Sequence, residues 1–451
     1  MRIDCLVAEI GSTTTVVNAF NFAGKTKFIG KGVANTTVNT DVREGLIEAI
    51  NELKRFLNVS ELSYDEMFAA SSAAGGLRVT VSGLVYEMTV RAAKEAALNA
   101  GANIHLVSAG IIEEDDLNQI IDIKPNMIIV AGGTDFGEKE TAFENVKKVA
   151  NLNLNVPIIY AGNVANHHKI IEFFKTSTQE GFLKIVENVY PRVDFLNILP
   201  LRKVIYQTFE EHIIHAKGME HIKDMVNGSI MPTPGSVMET SMLLYDTIGS
   251  LMTIDVGGAT TDIHSVAIPS DEYIKYSEGE AKEKRTVEGD LGVFINHKHV
   301  INFIEKERLI KKLDINEETF SELLKNYSYL PKTKLERSFV YELTRTCVFK
   351  ALDRHAGDLK KVYTTNGQKM IPEGKDLSQV KTIILTGGPL IYLDNTEQII
   401  KDYIRQNPHK LLPKENVKIL KDTLYIMSSI GVLSLKHSEI SLELLKQSLK
   451  F

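Results

Sequence analysis

The sequence predicts an α/β protein of two lobes, the first of them enlarged by additional strand–helix material. A strand, a glycine turn and a second strand open the chain at residues 2–21, and the same pattern returns at residues 251–267. Between them, from about Tyr64 to Tyr190, apolar strands alternate with helical stretches, a rhythm that gives parallel strands joined by crossover helices. The 451 residues, 43% hydrophobic and 24% charged, have the balance of a globular chain with a large core. At about 150 residues per domain they make about three domains or lobes.

The elements follow in order. Arg2–Ile10 is an apolar strand and Thr14–Asn21 a second one rich in β-branched residues. The turn residues 21–25 then lead into a third strand at 26–33. Asp41 is placed to cap a helix running to about Leu57, with Leu46, Ile47, Ile50 and Leu53 on one face. Residues 1–63 therefore begin the first lobe, and 64–194 form its strand–helix region. Strands at 68–72, 104–110, 127–133 and 157–162 end in small residues, which leaves backbone groups open to a ligand. Helices are expected at 83–100 and 139–152. A helical connection, 195–248, contains a long helix over 195–217 and turn signals at Gly228 and Met231-Pro232-Thr233-Pro234-Gly235, which mark the junction. The second lobe, 249–451, opens with strands at 251–255 and 260–267. The polar segment 271–284 is expected to be a surface loop. Helices follow at 298–311, 317–326 and 335–356, then a buried strand at 382–385 and a helical tail from about Ile426.

Composition excludes several classes. The net charge of −6 gives no electrostatic footprint for nucleic acid or an anionic membrane. No stretch approaches the ~18 apolar residues of a spanning helix. Asp4 interrupts the apolar run that a secretory signal needs. Two cysteines, Cys5 and Cys347, cannot build a disulfide framework or a zinc ribbon, so a reducing, cytoplasmic setting is expected.

Two loops carry the chemistry. Glu9-Ile10-Gly11-Ser12-Thr13-Thr14 and Asp255-Val256-Gly257-Gly258-Ala259-Thr260-Thr261-Asp262 each place a strand-terminal carboxylate before glycine and a hydroxyl cluster. Glycine lets backbone amides approach an anion, and hydroxyls add donors. A carboxylate at each loop base suits hydrated magnesium, which keeps several waters and prefers substrate phosphates. Either loop alone reads as an ordinary hairpin turn; the pair, one at the start of each lobe, favours a clamp on a nucleotide's phosphates and metal. A third element, Thr386-Gly387-Gly388-Pro389, ends a strand in glycines that allow flat approach of adenine or ribose. Glu9 and Asp255 would orient magnesium, with Asp255 the principal catalytic carboxylate. Gly11, Ser12, Thr13 and Thr14, with Gly257, Gly258, Ala259, Thr260 and Thr261, would donate to phosphates. Gly387 and Gly388 would pack the adenosine. Asp262 and Asp135 are the candidates for a general base.

These motifs, with the small-residue helix Ser428-Ser429-Ile430-Gly431-Val432, resemble in order and spacing those of the actin, Hsp70 and sugar-kinase ATPase superfamily. Within it the chain is most similar to the glutamate mutase accessory family of MutL type. The resembling stretches are 71–78, Ala131-Gly132-Gly133-Thr134-Asp135, 161–163, 212–218, 231–235 and 255–265. The resemblance implies two actin-like, ribonuclease H-like lobes that use ATP or ADP with Mg2+. It also implies an accessory role beside subunits of an adenosylcobalamin-dependent mutase, with damaged cobalamin exchanged on that partner and not bound here as a cofactor. Glu9 stands where the family usually has aspartate, and Val16 where a lysine commonly follows. These departures imply slow hydrolysis and a diverged member, one serving ornithine or lysine aminomutase chemistry. Two alternatives stay open: a small-molecule kinase of the same fold, and a nucleotide-independent scaffold of a mutase complex.

Other residues weigh less. His212 and His215 lie three apart, whereas zincin chemistry needs histidines four apart with a following glutamate. Gly24-Lys25-Thr26 lacks the first glycine of a P-loop. His167-His168 reads as a surface pair and Cys347 as a buried thiol. The Ala131–Asp135 loop is evenly divided between a sharp strand-to-helix turn, with Asp135 near the helix cap, and a second anion or ligand loop. The stretch 71–78 divides in the same way.

Overall fold

The structure is a computed structural model. It describes residues 1–451 apart from 23, 38–39, 73–76, 214–217, 278–279 and 365–366, and apart from the side chains of 212, 213 and 364. Part of the turn at 21–25, the centre of the 71–78 stretch and the candidate His215 thus lie outside the described residues. The chain divides into two compact units. The first is Met1–Met238 with Glu278–Lys284 and Gly431–Lys436; the second is Glu239–Ser277 with Arg285–Ile430 and His437–Phe451.

The first unit begins with an antiparallel meander, β1 (Arg2–Ile10), β2 (Thr14–Asn21) and β3 (Lys27–Asn35). Helix α1 (Val42–Leu57) starts where expected, because the Asp41 carboxylate accepts from the Arg43 N–H at the cap, and it stops at Asn58 in the left-handed conformation. Strand β4 (Ser63–Ser71) returns parallel to β1. A second sheet follows from β5 (Arg78–Gly83), α2 (Arg91–Asn99), β6 (Asn103–Ala109), α3 (Glu114–Ile123), β7 (Met127–Val130), α4 (Glu140–Ala150), β8 (Ile158–Tyr160), α5 (His167–Lys175) and β9 (Leu183–Ile185). All its strands are parallel, in the order β6-β5-β7-β8-β9. Two further helices, α6 (Ile198–Ile213) and α7 (Met219–Met225), precede β10 (Met231–Pro232), which pairs parallel to β4 and completes the order β10-β4-β1-β2-β3.

One apolar cluster joins the two sheets of this unit: Leu6, Leu46 and Met67 share it with Val81, Ala93 and Ile129. A separate cluster covers the other face of the parallel sheet, where Ile128, Val130 and Tyr160 meet Val146 of α4 and Phe174 of α5. The added strand–helix material is thus built into the first lobe's core on one side and carries its own helices on the other.

The turn signals at 231–235, read as a junction, lie just before the boundary of the two units at Met238, and they fall in regular elements. Met231 and Pro232 form the edge strand, and Thr233 opens α8 (Thr233–Ile248) with Pro234 in its first turn. Proline is tolerated there because its missing N–H would have had no helical partner.

The second unit repeats the plan with β11 (Leu251–Val256), β12 (Thr261–Val266) and β13 (Glu283–Glu288), followed by α9 (His297–Ile304), α10 (Lys306–Leu313), α11 (Glu317–Lys325) and α12 (Lys334–His355). After the hairpin β14 (Asp358–Thr364) and β15 (Gly367–Glu373) come β16 (Thr382–Thr386), α13 (Gly388–Tyr392), α14 (Thr396–Gln406), β17 (Lys418–Lys421), α15 (Met427–Ser434) and α16 (Ser438–Leu449). Its sheet order, β13-β12-β11-β16-β17, matches that of the first sheet strand for strand. The α/β fold is therefore present, with one sheet order shared by the two units and an additional parallel sheet in the first.

Two local expectations change. The polar segment to Lys284 is not wholly a surface loop, because Glu283, Lys284 and Arg285 are buried in β13. The single helix over 298–311 breaks at Glu305, whose φ of 70° divides it into α9 and α10. Among the described residues, no helix is long and apolar enough to cross a membrane.

Candidate nucleotide-binding site

Both sequence-predicted loops are tight hairpins closed by the same bond. The Gly11 N–H donates to the Thr14 carbonyl at 2.9 Å, and the Gly257 N–H donates to the Thr260 carbonyl at 2.9 Å. A Cβ on Gly11 would stand 2.7 Å from the Thr14 carbonyl oxygen, closer than side chains tolerate, so this turn requires glycine. The strand registers also match: Glu9 faces Val16 across the first hairpin, and Asp255 faces Asp262 across the second. The turns expose donors. Among the described residues, the N–H groups of Ser12, Thr13, Gly258 and Ala259 meet no protein acceptor. That donor set fits phosphate oxygens.

Each loop is braced from outside. In the first unit, the Thr36 N–H donates to the Thr13 carbonyl at 3.0 Å, and the Thr15 and Thr36 hydroxyls lie 2.9 Å apart. In the second unit, the Phe294 and Ile295 N–H groups donate to the Gly258 carbonyl, and the Asn296 amide donates to the Ala259 carbonyl at 2.7 Å. Gly292 lies so close to the Ala259 backbone that no Cβ fits between them. The sequence reading missed this brace of Gly292 and residues 293–296, and no local pattern in it signals the contact.

The carboxylates differ in setting. Glu9 is 8% exposed, and its Oε1 accepts from the Asn18 amide at 3.3 Å. Asp255 is half-exposed at the end of β11. Asp262, two residues past the second turn, is taken up by Arg285: its Oδ1 accepts from the guanidinium Nε at 3.0 Å and from Nη2 at 2.6 Å. Arg285 is fully buried and Asp262 nearly so. The Asp262 Oδ2 accepts from the Thr260 hydroxyl at 3.2 Å, so both oxygens of this carboxylate are engaged within the hairpin and β13. Nearby, His264 is fully buried, neither ring nitrogen has a hydrogen-bond partner among the described residues, and burial pushes its pKa well below the usual histidine value.

The Thr386-Gly387-Gly388-Pro389 turn lies beside the second hairpin. Gly387 has a φ of 87°, and a Cβ there would stand 2.6 Å from the Asp255 Oδ1. Asp255, the 257–261 turn and Gly387 are thus neighbours within one unit. The strand leading to Gly387 is anchored by Asp422, another residue the sequence reading passed over. Its buried carboxylate accepts from the Thr386 and Ser448 hydroxyls and from the Ile426 and Met427 N–H groups. Burial raises its pKa despite these bonds.

Among the described residues, no group of three or more histidine, cysteine, aspartate or glutamate side chains could hold a metal ion. A strand-terminal carboxylate such as that of Asp255 is of the oxygen-ligand type that magnesium takes beside substrate phosphates and water. Asp135 does not cap a helix, because α4 begins at Glu140. Its Oδ1 accepts from the Val164 N–H and the Asn188 amide. Cys347 is buried as expected, and burial pushes its thiol up to about 12.

The model of the MutL protein family matches residues 5–449. Protein MutL of Clostridium tetanomorphum is 33% identical over 444 residues, covering 95% of each chain. Two solved structures are more distant likenesses. The nucleotide-free acetone carboxylase is 10% identical with a TM-score of 0.38, covering 96% of this chain and 70% of that one. The nucleotide-free diol dehydratase-reactivating factor is 10% identical with a TM-score of 0.33, covering 97% and 100%.

Proposed function

The chain belongs to the MutL protein family, and from that premise we propose that it is an ATP-binding accessory protein that reactivates an adenosylcobalamin-dependent amino-acid mutase. The observation that supports it is the pair of hairpins with one closing bond, one register and free N–H donors at both turns. Glu9 and Asp255 supply the metal-side carboxylates; Gly11–Thr14 and Gly257–Thr261 supply donors to phosphate oxygens; Gly387 and Gly388 offer a backbone surface to the adenosine. Bound magnesium would neutralise phosphate charge, and the residues of this chain would contribute positioning and hydrogen bonds. The Arg285 ion pair removes Asp262 from the choice of general base and gives it the task of fixing the second hairpin. Glutamate mutase and ornithine or lysine aminomutase are the partner classes this reading admits.

Calorimetry with Mg-ATP and Mg-ADP tests the first half. Saturation at ~100 times the dissociation constant should stabilise the fold by about 2.7 kcal/mol, and Asp255→Ala should abolish the magnesium-dependent part. The second half is tested by incubating an inactivated mutase with this protein, Mg-ATP and fresh adenosylcobalamin. Activity should return with the native chain and not with Asp255→Ala.

One observation favours a second reading, a scaffold that works without nucleotide. Glu9 is buried and already engaged by Asn18, which hinders its use toward a metal. Equal recovery of the mutase with Asp255→Ala, or without ATP, would select that reading.

A further inference from the structure

The parallel sheet of the first unit has the order β6-β5-β7-β8-β9. Numbered from its own first strand, that order is 2-1-3-4-5. The chain leaves β5 toward α2 on one face and leaves β7 toward α4 on the other. Adjacent strands whose connections diverge leave a crevice beyond their carboxyl ends, where open α/β sheets bind ligands. Here the rim is Gly83–Leu84 after β5 and Ala131–Lys139 after β7. Gly132 sits between them, for a Cβ on it would stand 3.0 Å from the Ala142 Cβ of α4 and 3.6 Å from the Leu84 nitrogen.

Two independent features show unmet hydrogen bonding at this point. Gly132 and Gly133 are buried, yet their N–H groups, and that of Thr134, meet no acceptor among the described residues. Buried backbone donors are almost always paired, so consecutive unpaired ones call for a missing acceptor. In addition, the Ser82 hydroxyl, on a residue 4% exposed, has no hydrogen-bond partner among the described residues. Ser82 is in register with Val130, and both lie on the face of α4, while Val79 and Val81 point into the opposite cluster. This hydroxyl therefore lies under the β7–α4 loop, one residue before the strand ends. Thr80, one pleat deeper on that face, is likewise unpartnered. Each acid of the loop has one oxygen turned to protein donors: the Asp135 Oδ1 accepts from the Val164 N–H and the Asn188 amide, and the Glu138 Oε1 accepts from the Thr141 N–H. Three N–H donors and a hydroxyl suit an anion.

We propose that this switch-point crevice is a second ligand site, separate from the two hairpins, that takes a phosphate group through the Gly132–Thr134 N–H groups and the Ser82 hydroxyl. The proposal does not depend on nucleotide binding at the hairpins. Its test therefore uses the full chain carrying Asp255→Ala, without magnesium, so that the two sites fail separately. Hydrogen–deuterium exchange and calorimetry are run with inorganic phosphate, pyrophosphate and ADP. Protection of the 130–139 segment is expected. Ser82→Ala should weaken binding about tenfold, the loss of one hydrogen bond to a charged group. Ser108→Asp, a half-exposed position in register with Ser82 on β6, should abolish it by charge repulsion. Tighter binding of ADP than of pyrophosphate would identify a phosphate ester as the ligand, and equal binding would identify free phosphate. Protection confined to 9–16 and 253–262, or none at millimolar anion, would overturn the proposal and leave the Ser82 and Thr80 hydroxyls to structural water. Unchanged affinity in both variants would overturn it as well.

Discussion

The two hairpins share a backbone and differ in what surrounds it. Glu9, Val16 and Asn18 in the first correspond by register to Asp255, Asp262 and His264 in the second. In the first, the carboxylate itself is held, by Asn18, and the residue opposite is an inert valine. In the second, the carboxylate stays half-exposed, the residue opposite is a second acid neutralised by buried Arg285, and the histidine two residues on has no hydrogen-bond partner among the described residues. Glycine sterics thus dictate the turn, whereas packed neighbours from distant sequence dictate its charge. A loop motif alone does not reveal what surrounds the acid of each such loop.

The sharpest break of this comparison is Arg285→Met. It leaves Asp262 buried and unpaired, and should cost about 3–5 kcal/mol in denaturant unfolding, with much of the loss recovered in the double variant Arg285→Met/Asp262→Leu. No comparable pair exists to break at Val16, so Val16→Ala should cost less. If Arg285→Met were harmless, the ion pair would not be what fixes the second turn.

Next is the carboxylate. Glu9→Asp shortens the side chain by one methylene and gives the first hairpin the acid of the second. Where catalysis is positional, a displacement of about 1 Å is worth ~100-fold in rate, so nucleotide turnover should rise by up to that factor. A fall in turnover would show that Glu9 is already matched to its site by Asn18.

The turns themselves should respond unequally. A Cβ on Gly11 would lie 2.7 Å from the carbonyl of Thr14, and one on Gly257 would lie 3.2 Å from that of Thr260. Gly11→Ala should therefore cost about 1–3 kcal/mol, as overpacking does, and Gly257→Ala less than about 1 kcal/mol. Equal shifts in thermal midpoint would mean that the first loop relaxes.

The smallest effect is the pH dependence from His264. Burial, with Arg285 nearby, keeps the folded ring neutral, while the unfolded ring titrates at its ordinary value. Below that value the unfolded chain binds the additional proton, so stability falls with decreasing pH. The contribution is at most about 1.4 kcal/mol per pH unit below about 6.5. His264→Leu should flatten this slope between pH 6.5 and 5.5, measured as denaturant midpoints, and an unchanged slope would place the titration on another histidine.

The sequence by itself determined what neighbours along the chain can dictate. It determined the glycine turns at Gly11 and Gly257, since each closes on a residue three positions away. The Asp41 cap and the two hairpin strands at the head of each lobe follow in the same way, because strand periodicity and cap chemistry act over a few residues. The alternation after Tyr64 indicated a parallel sheet. It did not disclose the 2-1-3-4-5 order, which comes from which strands meet across helices of ten or so residues. The structure alone decided that Met231–Pro232 would be an edge strand, that Asp422 would anchor the strand leading to Gly387, and that Asp262 would be engaged by Arg285. In each case the deciding partner is distant in sequence or is hidden by polar composition: Ala70 for Met231, Ser448 for Asp422, and for Asp262 the basic Arg285, just past a stretch that reads as surface loop. Burial gives such a contact its strength by removing competing water, and burial is a property of the packed chain, which no window of sequence contains.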